Sequence, residues 1–147
     1  MICLIGYGNN MRSDDGIGIY VAQKIAAENN PNVKVCVSHQ LHIEMLEEAV
    51  LYDKVILVDA AAGGEEVVFR KVDAGSKAYV ASSHHLSPEL FFNLAEKIYR
   101  KNINLYACSI KGESFELGNT ISPIVYTRAE KSIDLIHSLI NKDLVYA

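Results

Sequence analysis

The chain has 147 residues, half of them hydrophobic and 22% charged, with a formal net charge of −4. That length supports one sizeable core and is read as one domain spanning residues 1–147. The acidic balance, with no more than two Lys or Arg adjacent, argues against a surface built to neutralise phosphates, and so against nucleic-acid or anionic-membrane partners.

Apolar runs reach about five residues, well short of the roughly 20 that cross a bilayer. The chain enters its first strand at Met1-Ile2-Cys3, with no basic segment of a secretory leader ahead of it. Cys3, Cys36 and Cys108 each fall inside an expected strand and lack C-x-x-C spacing. They are read as buried thiols in a reducing compartment, and the expected location is cytoplasmic.

Ile2 to Gly6 is a continuous apolar run, as expected of a strand buried on both faces. A helix follows from Gly16, with Ile17, Val21 and Ile25 on one stripe, Tyr20 beside it, and Asn29-Asn30-Pro31 as its stop. Val33 to Val37 reads as the second strand. Ile43, Leu46 and Val50 have helical spacing over about two turns, and Lys54 to Val58 is the third strand. Glu66 to Val72 alternates more weakly and is assigned to an edge or hairpin strand. Ser87-Pro88-Glu89 combines an N-cap, a first-turn proline and an acid favoured by the helix dipole. The helix it opens should bury Leu90, Phe91, Leu94, Ala95 and Ile98. Ile103 to Ile110 is a further strand, and Ser122-Pro123 opens a last helix with the stripe Val125, Ala129, Ile133, Ile136 and Ile140. Strands alternating with helices imply a three-layer α/β/α sandwich around a mostly parallel, twisted sheet of about five strands.

Three polar stations stand out on this scaffold: Gly6-Tyr7-Gly8-Asn9 with Asp14-Asp15-Gly16, Val58-Asp59-Ala60, and Ser82-Ser83-His84-His85. Gly6-Tyr7-Gly8 after a strand invites a dinucleotide reading, but Met11 stands where the third glycine belongs, and two acids occupy the place of a pyrophosphate. Asp14 is assigned to capping or loop structure, since an aspartate ahead of a helix accepts from its free first-turn amides. Asp15 is then left for chemistry. Asp59 closes an apolar strand, has small neighbours, and falls at the edge where open α/β sheets bind ligands; the plainer alternative is a turn aspartate bonding its own backbone. His84 and His85 approach a helix N-terminus, whose dipole favours a neutral imidazole, the form that ligates metal. His39 and His42 add imidazoles to the same edge, with surface polarity the plainer reading for at least one. Two carboxylates and a neutral imidazole suit borderline divalent ions such as Ni²⁺, Zn²⁺ or Mn²⁺ and leave coordination positions open.

In this order and spacing the stations, together with Gly118 and Ile121-Ser122-Pro123, resemble the hydrogenase maturation proteases. These endopeptidases trim the C-terminal extension from the large subunit of nickel–iron hydrogenases. The resemblance runs from the first strand to the last helix. It implies a metal-binding and catalytic trio at Asp15, Asp59 and His84, with aspartate at the first position where glutamate often stands. It also implies that Ni²⁺ arrives seated in the substrate, a hydrogenase large-subunit precursor, rather than bound permanently. The segment His39 to Glu44 departs from the glycine-rich version of that loop and looks like its Gln-Leu version. Two other functions use the same trio: hydrolysis of small amides or esters with a tightly held ion, and non-enzymatic nickel carriage or sensing.

Overall fold

The computed structural model describes residues 1–73 and 86–146, with side chains through residue 142. Five strands form one sheet: β1 (Ile2–Tyr7), β2 (Val33–Ser38), β3 (Lys54–Ala61), β4 (Val67–Val72) and β5 (Leu105–Lys111). Their order is β2-β1-β3-β5-β4, all parallel except β4, which runs antiparallel to β5 at one edge. The three-layer architecture and the edge assignment of residues 66–72 are as expected.

Alternation along the strands sends side chains to opposite faces, and each face carries its own core. Ile2, Leu4, Ile56, Val58, Cys108 and Ile110 pack against α1 (Ile17–Ala26) and α4 (Pro123–Tyr146). The expected stripes of both helices, Ile17, Val21 and Ile25, then Val125, Ala129, Ile133, Ile136 and Ile140, are all buried there. On the other face, Cys3, Ile5, Val55, Leu57, Leu105 and Ala107 pack against α2 (Leu46–Ala49) and α3 (Pro88–Tyr99).

Helix α3 corrects one expectation. Ser87 caps it, its hydroxyl accepting from the Leu90 amide at 3.1 Å, with Pro88 in the first turn. Its buried face is Phe91, Phe92 and Ala95 with Tyr99 alongside, while Ile98 is 53% exposed. Two adjacent rows of a helix can both be apolar, and the sheet selects the one carrying the two phenylalanines. Among the described residues, no helix is long and apolar enough to cross a membrane.

Topology places the crevice. From β1 the chain crosses by α1 to β2 on one side, whereas β3 lies on the other side of β1 and leads on towards β5 and β4. The carboxyl ends of β1 and β3 therefore diverge, which is the switch point where open α/β sheets hold ligands.

Candidate functional site

Pairing between β1 and β3 ends at Gly6 and Val58, while β3 continues beside β5 through the pairs Asp59–Ser109, Ala60–Ile110 and Ala61–Lys111. Asp59 thus lies inside a strand rather than at its end, flanked on one side by β5 and on the other by the point where β1 turns away. That turn is made at Gly8, at φ 147°, where a Cβ would run into the Asp15 carbonyl oxygen. Gly18, in the first turn of α1, lies against Val58 and the Asp59 backbone with no room for a side chain. These glycines seat the loop and helix of the first station on the sheet edge, a packing role that explains them without a dinucleotide.

The resulting cleft, about 530 Å³ in volume, is lined by Tyr7, Asn9, Asp15, Asp59, His39 and Phe115 among others. Asp15 is half-buried, and one of its carboxylate oxygens accepts from the Asn9 amide at 2.8 Å. Asp59 accepts from the Ser109 hydroxyl at 3.3 Å and from the Tyr7 hydroxyl. Burial pushes the Asp59 carboxyl up to about 6; the Ser109 bond opposes the rise, the Asp15 charge adds to it, and the Tyr7 bond and Arg70 oppose it again. Tyr7 is raised well above the ordinary phenol value, first by burial and then by the Asp59 carboxylate it faces. Arg70, on β4, is itself held by Glu89 of α3 at 2.7 Å.

Asp14 and Asp15 part company. Asp14 is completely buried and does not cap α1, whose N-cap is Gly16 without a side-chain bond. Its carboxylate accepts from the amides of Glu113 (2.8 Å), Ser114 (2.9 Å) and Ser122 (2.6 Å) and from the Ser122 hydroxyl (2.9 Å). It clamps the β5–α4 loop, so the loop role assigned to it stands and the capping role does not.

His84 and His85 lie outside the described residues. Among the described residues, no three His, Cys, Asp or Glu side chains come together as a metal site. His39 lines the cleft and His42 does not; the His42 carbonyl instead accepts from the Met45 amide at 3.1 Å. Cys3 and Cys108 are buried thiols, each pushed up to about 12 chiefly by burial, which makes them poor nucleophiles. Sequence reading missed Tyr7, Ser109 and Arg70 as neighbours of Asp59. The signal for Ser109 was present, a hydroxyl interrupting the apolar run of β5, but its register against Asp59 was not.

Two carboxylates on one cleft, one of them raised to about 6 by burial, can offer oxygen donors to a divalent cation and can exchange a proton with water. No family model and no curated protein sequence matches the chain. Solved structures do share its fold. One is the NiFe hydrogenase maturation protease HycI from Thermococcus kodakarensis KOD1 (24% identity, 95% of this chain and 92% of that chain, TM-score 0.74). Another is the hydrogenase maturating endopeptidase HybD from E. coli (17% identity, 97% and 93%, TM-score 0.78). A third is a hydrogenase 2 maturation peptidase from a Thaumarchaeota archaeon (16% identity, 95% and 97%, TM-score 0.70). At these identities the likeness is one of fold, and it extends over nearly the whole of each chain.

Proposed function

We propose that this chain is an endopeptidase that removes the C-terminal extension from the nickel-loaded large-subunit precursor of a nickel–iron hydrogenase. One observation carries the reading: Asp15 and Asp59 meet on the switch-point cleft of a fold shared with proteins named as hydrogenase maturation proteases. Their positions are those the sequence resemblance assigns to the metal-binding trio, and His84 is proposed as the third member on that resemblance.

Nickel enters as part of the substrate. The donors suit it: Asp15 and Asp59 present carboxylate oxygens whose bonds to Asn9, Ser109 and Tyr7 leave lone pairs free. Asp15, anchored by the Asn9 amide, supplies a fixed negative charge. Asp59, with its carboxyl near 6, is close to the range in which a carboxylate takes a proton from water and returns it to a leaving amine. A docked cation would draw its proton off and favour the ionised form.

The test is cleavage of nickel-loaded precursor by Asp15→Asn, Asp59→Asn and His84→Ala. Each is expected to lose roughly a hundredfold or more in rate, the range for removing a positioned acid–base group. Undiminished processing in all three overturns the assignment. A stoichiometric ion in the purified protein would point instead to a hydrolase of small amides or esters. A precursor never shortened would point to nickel carriage.

A further inference from the structure

Arg12 lines the same cleft as Asp15 and Asp59 and is exposed. Of the other arginines, Arg70 pairs with Glu89 at 2.7 Å, and Arg128 of α4 pairs with Glu113 at 2.7 Å and with the Lys111 carbonyl at 2.8 Å, whereas Arg100, which ends α3, lies outside this cleft. Among the described residues, no hydrogen bond or ion pair engages the Arg12 guanidinium. Residues 74–85 contain no Asp or Glu that could supply one.

The backbone that carries Arg12 is nevertheless tightly held. Its amide donates to the Asn9 carbonyl (3.0 Å) and its carbonyl accepts from the Asp15 amide (3.1 Å). The neighbouring Ser13 and Gly118 amides bond to Gly118 and Met11 carbonyls at 2.8 and 2.9 Å, tying this loop to the one after β5. Ser13 sits at φ 53°, in the left-handed region that a residue other than glycine seldom adopts, and its hydroxyl donates to the Glu116 carbonyl at 2.8 Å. A strained, cross-linked loop therefore fixes the backbone from which the Arg12 side chain reaches the cleft, with its guanidinium unpaired among the described residues. A cation has no use for it, but a carboxylate fits its fork. Apolar side chains stand close in the chain and on the bonded loop: Met11 is 65% exposed, Leu117 81%, and Phe115 lines the cleft.

We infer that Arg12 is a specificity residue that anchors a carboxylate of the peptide substrate, with apolar neighbours of that carboxylate resting on Met11, Leu117 and Phe115. The carboxylate is an Asp or Glu side chain of the extension or its free C-terminus. The inference rests on the peptidase reading above.

Binding of the nickel-loaded precursor, read separately from cleavage, tests it. Arg12→Ala should weaken binding about tenfold or more, Arg12→Lys less, and Arg12→Glu most. The salt dependence of the wild type should flatten in Arg12→Ala, which a merely structural role would not produce. Matching melting temperatures establish that the variants fold. Precursors with each acid of the extension changed to its amide, and one amidated at the C-terminus, separate the two sources. The arm that abolishes the difference between wild type and Arg12→Ala names the carboxylate. Equal binding by wild type, Arg12→Ala and Arg12→Glu overturns the inference, as does a loss that no carboxylate arm abolishes. A precursor bound but never cut by the wild type overturns the peptidase reading and leaves the Arg12 comparison standing. A precursor neither bound nor cut overturns both.

Discussion

Asp14 and Asp59 are aspartates sheltered at the same edge of the sheet, and their surroundings move their protons in opposite directions. Asp14 is fully buried, which works against its charge, but three backbone amides and a hydroxyl aimed at its oxygens win, and its carboxyl is held below the ordinary 3.8. Asp59 has two hydroxyls, a neighbouring carboxylate and burial that they do not offset, and it rises to about 6. The difference lies in how completely the acceptors are occupied. A carboxylate saturated with backbone donors is a structural clamp, whereas one left partly unsatisfied beside a cleft keeps capacity for a ligand or a proton.

The sharpest way to break this comparison is Asp14→Ala. It strands the buried amides of Glu113, Ser114 and Ser122, and it should destabilise the protein by about 3 kcal/mol or more, given about 1–3 kcal/mol for each buried group left unpaired. Urea unfolding measures this; a loss below about 1 kcal/mol would mean that the clamp is not a structural one.

Asp59→Asn should act the other way. Because the folded carboxyl titrates above its unfolded value, the native state binds the proton more tightly. Stability contributed by the protonated group is therefore present below about pH 4 and lost as pH rises towards 6, the folded pKa. At neutral pH the variant should thus be about 1–3 kcal/mol more stable than the wild type, with little gain under acid conditions. Unfolding curves at the two pH values decide it, and an equal effect at both would remove the titration argument. Asp14 has the opposite sign, since its stabilisation is present above the ordinary 3.8 and disappears as pH falls through its lowered value.

The smallest effect belongs to Ser109→Ala. It deletes one hydroxyl donor to Asp59, so the Asp59 carboxyl should rise further, with about 1 kcal/mol lost from stability. A carboxyl carbon resonance followed through a pH titration would show the shift. A midpoint that stays in place or falls would mean that Ser109 does not stabilise the carboxylate.

Much of this architecture was legible from residue order. The apolar runs of β1 and β3 and the buried stripes of α1 and α4 follow from periodicity, because an element that buries one face writes its period into the chain. The Ser87-Pro88 start of α3 follows from local capping chemistry. What failed to read through was long-range. Asp14 meets partners 99 to 108 residues away, so its neighbours in the chain pointed to a helix cap that it does not make. Ile98 lies beside a row that the sheet chose instead, a matter of helix rotation that periodicity leaves open.

By itself, the sequence determined the alternation of strands and helices, the apolar faces, and the placing of Asp15 after β1 and of Asp59 late in β3, which parallel pairing brings to one edge. The tertiary structure alone decided which of two adjacent aspartates is saturated by backbone amides. It also set Tyr7 and Ser109 upon Asp59 and, among the described residues, gave the Arg12 guanidinium no partner. The physical reason is common to all three: hydrogen bonding and burial depend on groups far apart in the chain, and register and loop closure, not local residue order, determine which of them meet.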